Sequence, residues 1–160
     1  MLKNPLLFIY KTVVLHTQKP RMEIEKGFKI DNPNVFIPWN ITEKELTELF
    51  AGNELKNVTN GYYTFPCESL NGLKCLIGFH FEPRKNGILN ELEFFRAEYI
   101  DQKKSFEEFQ THFENEFGKA TSKSKGNDGF ENYEWWINGI RIVHYVFDRF
   151  GPEEHMRIKK

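Results

Sequence analysis

The chemistry-bearing side chains that fall closest together are His80 and Glu82 on one alternating apolar run, and Glu91 and Glu93 on the next. Imidazole and carboxylate are metal-ligand types, and a carboxylate pair can divide acid and base roles. Alternate residues on one strand stand about 6–7 Å apart, so these four converge only if neighbouring strands help. No HExxH, paired CxxC or phosphate-cradling glycine loop accompanies them. His144 and Asp148 lie four apart on one run, on the same side of a strand but too distant for a direct dyad. They read as satisfied polar residues. Cys67 and Cys75 do not make a disulfide framework; they are expected to point to opposite faces as free thiols, one in the core and one half-exposed. No cofactor and no metal site is expected.

Aromatic residues offer a different chemistry. Adjacent tryptophans on a strand face opposite sides, so Trp135 and Trp136 cannot both be in one core layer. Tyr133, Trp135 and Ile137 form one alternating apolar set, which places Trp135 in the core and Trp136 outward with Glu134. Rigid aromatic area beside charges is what protein-binding faces use. Trp39, in Phe36-Ile37-Pro38-Trp39, reads as a core plug before the first helix.

The elements that must position these groups are announced by turn and cap signals. Four Asn-Gly pairs, at 60–61, 71–72, 86–87 and 138–139, suit the positive φ of tight hairpin turns. Residues 62–70, 73–82 and 88–99 then read as a three-stranded meander, and 133–137 with 140–150 as a second hairpin. Residues 153–158 are expected to return as a short edge strand after Gly151-Pro152. Thr42 with Glu45 is a capping-box pattern ahead of Leu46, Leu49 and Phe50, and Ser105 with Glu108 repeats it ahead of Phe106, Phe109, Phe113 and Phe117. Gly118 stands at the expected C-cap of that second helix.

Register decides which side chains share a face. Pairing Phe81 with Ile88, Phe79 with Asn90, Ile77 with Leu92 and Cys75 with Phe94 makes one face apolar. The other face receives His80, Glu82, Glu91 and Glu93. A one-residue shift would bury two carboxylates, at several kcal/mol by rough estimate. Extending through a two-residue Asn71-Gly72 turn sets Tyr63 opposite His80, with Phe65 and Cys67 on the same open face. Phe65 packing beneath the N-terminal segment is the competing structural reading.

Composition is that of one folded domain. The chain has 160 residues, 39% apolar and 16% aromatic, with 16 Phe, enough to bury a core and unlike a disordered chain. The net charge is −1, from 22 basic against 23 acidic residues, so nucleic-acid binding would need a local stripe such as 119–125 or 157–160. Both read as solvated segments. The apolar runs at 5–10 and 13–15 are split by Lys11 and too short for a membrane span. Residues 1–30 are expected to form an arm or extra strand, and the expected location is cytoplasmic.

The expected fold is α+β: an antiparallel sheet of five to seven strands with two helices on one face, in a single domain spanning 1–160. Residues 40–99 and 105–158 are possible α-β-β-β units. That order, carried by residues 42–50 before the first meander and 105–117 before the second, resembles the tandem-unit fold of secreted β-lactamase-inhibitory proteins. It is also similar in style to small bacterial immunity proteins. The resemblance implies an open sheet face that takes a protein partner. The function expected is therefore non-enzymatic protein binding, as an inhibitor or toxin-immunity protein, through Tyr63, Phe65, His80, Glu82, Glu91, Glu93, Glu134 and Trp136. The alternative is a small hydrolase built on His80 with Glu82, Glu91 and Glu93. No nucleic-acid or membrane partner is expected.

Overall fold

The computed structural model describes residues 22–82, 87–96 and 101–160. Of residues 1–30, expected as an arm or extra strand, 1–21 lie outside the described residues, as do Asn86 of the third Asn-Gly pair and Tyr99, whereas a strand begins at Gly27. In chain order the elements are β1 (Gly27–Asn32), β2 (Val35–Pro38), α1 (Glu43–Leu49), β3 (Lys56–Thr59), β4 (Tyr62–Ser69), β5 (Leu73–Phe81), β6 (Leu89–Phe95), α2 (Gln102–Phe117), β7 (Ser122–Lys125), β8 (Glu131–Ile137), β9 (Ile140–Asp148) and β10 (Pro152–Lys159). Among the described residues they make one antiparallel sheet of ten strands, ordered β2-β1-β4-β5-β6-β10-β9-β8-β7, with β3 also beside β4. The five to seven strands expected are exceeded because β1, β2, β3 and β7 are short and carry little alternating pattern.

Strand β10 is not an edge strand. It pairs β9 along its whole length on one side and β6 on the other, so it joins the two halves of the sheet. Each helix is followed by four strands, and the last strand of each set, β6 and β10, meet antiparallel at the centre.

The helix signals resolve differently. Thr42 caps α1 with the full capping box, its hydroxyl accepting from the Glu45 amide while Glu45 accepts from the Thr42 amide. Leu46 and Phe50 are buried, whereas Leu49 is 41% exposed and leaves the apolar face. Helix α2 starts a turn earlier than Ser105 because Asp101 accepts from the Lys104 amide and caps it. Ser105 is then buried within the first turn, and Glu108 pairs with Arg96 instead. Phe109 and Phe113 are fully buried, and Gly118 takes the C-cap at φ 80°.

Two hairpins show why register matters. Around Asn138-Gly139, Ile137 pairs Ile140 and both turn residues have positive φ, as a two-residue I′ turn requires. Around Asn71-Gly72 the loop has three residues: Ser69 pairs Leu73, and Leu70, Asn71 and Gly72 all have positive φ. Leu70 is 1% exposed, so the turn tucks an apolar residue into the core. Its carbonyl meets the His112 ring on α2, and the Asn71 amide donates to Asp31. Burial and these anchors hold a longer loop than the Asn-Gly pair alone suggests.

Candidate functional site

That extra turn residue moves β4 by one place, and a one-residue slip moves every side chain to the other face. Tyr62, not Tyr63, pairs with His80, while Tyr63 pairs Phe79 and Phe65 pairs Ile77. Tyr63 and Phe65 are therefore corrected to the core face. Phe65 is 4% exposed with its ring 4.4 Å from that of Phe50, and the Tyr63 hydroxyl donates to Glu43.

The β5–β6 pairing also departs from expectation, but harmlessly. Ile77 pairs Phe94 and Phe79 pairs Leu92, two residues from the expected register, with an irregularity between His80 and Phe81. An even shift keeps faces unchanged, so His80, Glu91 and Glu93 remain together on the face opposite Phe79 and Leu92.

There they build a closed ionic cluster around Arg157, in a segment whose sequence alone reads as solvated. Arg157 on β10 lies opposite Glu93 and donates to Glu91 Oε1 at 2.6 Å and to Glu93 Oε1 at 2.9 Å. Lys159 Nζ lies 3.4 Å from Glu91 Oε2. His80 Nε2 is 3.0 Å from Glu93 Oε2, and the Tyr62 hydroxyl donates to that oxygen at 3.3 Å. All four carboxylate oxygens are thus engaged, and the charges of the two carboxylates are balanced by Arg157 and Lys159. Glu82, at the end of β5, has no ion pair with this cluster among the described residues, although its amide donates to Ile88. No group of three His, Cys, Asp or Glu side chains comes close enough to hold a metal among the described residues.

Tyr62 is placed by a glycine. Its ring stacks on His80 at 4.3 Å and lies across Gly78, where a Cβ would meet the ring at 2.8 Å. Burial first, then Glu93, pushes the phenol up to about 12, so it stays a donor. For Glu93 burial raises the pKa, but the His80 hydrogen bond, the Arg157 charge and Tyr62 outweigh it and the net shift is downward from 4.5. The unfolded chain then takes up this proton first on acidification. The stability it contributes is complete above about 4.5 and is lost as pH falls through the lower folded value. Glu93→Gln is expected to cost about 1–3 kcal/mol at neutral pH and to flatten the acid limb of stability against pH. Urea titrations across that range test it; an unchanged acid limb would show that the cluster contributes nothing.

Beyond Arg157 the same face continues over β9 and β8. Val143, Tyr145 and Arg141 line both a hollow of about 310 Å³ beside Glu91 and Lys159 and a larger one of about 410 Å³ reaching Ser124, Asn132 and Phe147. The Tyr145 ring stacks on His155 at 5.0 Å. Burial, then Arg157, lowers the His155 pKa, and neither ring nitrogen has a hydrogen-bond partner among the described residues. Glu134 accepts from Arg141 Nε, and the Arg141 guanidinium lies 6.0 Å from the centre of the Trp136 ring. As expected, Trp135 is 1% exposed and Trp136 is 56% exposed. Sequence reasoning missed Arg157, Tyr145 and His155 because β10 was expected at an edge; their alternation along the two strands was the available signal.

No family model matches the chain, and no curated protein matches it. A solved structure of a DUF4309 family protein, YjgB, from Bacillus subtilis aligns over 74% of this chain and 77% of that one, at 11% identity and a TM-score of 0.40. That likeness is too distant to bear on fold or activity.

Of the other expected features, Lys123 pairs with Glu131, Arg157 with Glu91 and Glu93, and Lys159 with Glu91. Among the described residues no helix is long and apolar enough to cross a membrane.

Proposed function

We propose that this chain is a non-enzymatic protein-binding domain, an inhibitor or immunity partner, that receives another protein on the sheet face bearing Trp136, Tyr145 and Arg157. The observation that carries the reading is Trp136, more than half exposed on a strand whose neighbours add Val143, Tyr145 and the 46% exposed Phe147. The C-cap of α1 and helix α2 both contribute rings to the other face: Phe50 touches Phe65 and Phe79, and Phe113 touches Phe94. This supports two helices on one side and an open side for the partner. The order of one helix and its strands, repeated, supports the likeness to tandem-unit inhibitors and to immunity proteins. Cytoplasmic residence goes with the immunity reading and with two unbridged thiols.

The hydrolase alternative draws no support from the geometry, since Arg157 and Lys159 hold Glu91 and Glu93, and Glu82 makes no ion pair with that cluster among the described residues. A folded Trp136→Ala variant is expected to lose about 2 kcal/mol or more of partner affinity if the indole is an anchor. Affinity capture from the native cell with the wild type, the Trp136 variant and a Val58→Ala control identifies the partner, and titration quantifies the loss. A partner bound equally by all three would remove this face from the function.

A further inference from the structure

The slip that corrected Tyr63 and Phe65 has a chemical consequence at the other end of β4. Cys67 and Cys75 are directly opposed in the register, with Sγ atoms 4.0 Å apart. Directly opposed residues of an antiparallel pair have Cα atoms about 4.5–5.5 Å apart, inside the span of about 4.4–6.8 Å that a disulfide bridges. Closing the bond therefore needs side-chain rotation, with no sliding of strands. Cys67 is half-buried and open to reagent, while Cys75 is 8% exposed.

We infer that Cys67 and Cys75 are a reversible dithiol site that reacts with small disulfides of the glutathione class to form a cross-strand disulfide. Cys67 as thiolate attacks one sulfur of the oxidant and expels a thiolate, leaving a mixed disulfide on Cys67. The Cys75 thiolate then attacks Cys67 Sγ, forms the Cys67–Cys75 bond and expels the second small thiolate. The protein gives up two electrons and two protons; the small disulfide takes them and leaves as two thiols.

The surroundings rank the two steps. The hydrogen bond with Cys75, then burial, pushes the Cys67 thiol up, so the opening attack is slow. In the reduced pair the Cys67 S–H, then Ser69 and the Arg96 charge, lower Cys75 against its burial. Once Cys67 carries the mixed disulfide its S–H is gone, and Ser69 and Arg96 still favour the resolving thiolate beside a sulfur that lay 4.0 Å away. The mixed disulfide should not accumulate. The bond would staple the β4–β5 hairpin just below the Leu70 turn, where Asp31, His112 and Glu116 already fasten it to β1 and α2.

The full chain, equilibrated in glutathione buffers from fully reduced to fully oxidised, quenched with acid and alkylated, tests this by intact mass. Both thiols should vanish together at one midpoint, with the protein two hydrogens lighter and no glutathione adduct. Cys75→Ser, with Cys75→Ala as a second variant, should instead trap glutathione on Cys67, and the adduct should be removed by dithiothreitol. The same titration in denaturing urea should need a more oxidising ratio, because strand pairing no longer holds the sulfurs together. Independent alkylation of both thiols at every ratio, a stable adduct on wild-type Cys67, disulfides between chains, or an unchanged midpoint in urea would each overturn the inference.

Discussion

Replacing Trp135 by alanine is expected to lower stability by about 3–5 kcal/mol, the largest loss of any single aromatic truncation on β8. The indole is 1% exposed and packs edge-on to Phe113 at 6.0 Å and against Tyr133 at 6.2 Å. Its Nε1–H donates to the Gly118 carbonyl at 2.7 Å, so the ring also ties the C-cap of α2 to the sheet. Alanine opens a cavity and strands that carbonyl at once. Trp135→Phe keeps most of the apolar area and should lose about 1–2 kcal/mol for the missing donor. Trp136→Ala, one residue along but outward, should stay within about 0.5 kcal/mol of wild type. Urea denaturation of the three variants separates these outcomes. Equal loss from Trp135→Ala and Trp136→Ala would mean that something covers the outward face, and the docking proposal would have to move to the loops.

The contrast between these two tryptophans was legible because alternation along a strand needs no knowledge of its partner. The face of β4 was not legible in the same way. It depends on the parity of one loop, and Asn71-Gly72 reads as a two-residue turn while Leu70 makes it three. One buried leucine therefore exchanged Tyr63 and Phe65 for Tyr62, and set Cys67 against Cys75. On β6 the error was even, so Glu91 and Glu93 kept their face although their partners changed. The centre of the sheet was hidden for a third reason. A strand pair between β6 and β10 spans more than sixty residues, and no local signal selects a partner at that distance. Arg157, the residue that neutralises the acidic cluster, came with it.

The same long-range pairing buries a polar group that local patterns could not match. His144 and Glu154 are both on the core face, on adjacent strands, each at most 8% exposed. His144 Nε2 lies 2.8 Å from Glu154 Oε1, its Nδ1 lies 2.8 Å from Gln110 Oε1, and Gln102 donates to the other Glu154 oxygen at 2.9 Å. Asp148, the partner weighed from spacing alone, instead accepts from the Gly151 amide. Two residues of α2 are thereby bound to β9 and β10, with the Phe106 ring stacked 4.0 Å from the imidazole.

Breaking this group from one side is expected to be far more damaging than removing it whole. Both ring nitrogens of His144 face oxygen atoms, an arrangement that a doubly protonated ring satisfies, whereas burial pulls the imidazole pKa down. The Glu154 hydrogen bond and charge oppose that pull. Glu154→Leu leaves the neutral His144 Nε2 unpartnered in the core and should cost about 1–3 kcal/mol. The double replacement His144→Phe with Glu154→Leu substitutes apolar groups of similar size beside Phe106 and Phe113. It should recover most of that loss, because replacing both partners of a buried hydrogen bond by apolar groups of similar shape can be nearly neutral. Gln110 and Gln102 can still turn toward Glu114 and solvent. A double-mutant cycle read by urea denaturation gives the coupling directly. If Glu154→Leu alone is no worse than the pair, the buried contact contributes nothing to holding α2 on β10, and packing of Phe106, Phe109 and Phe113 must do so unaided.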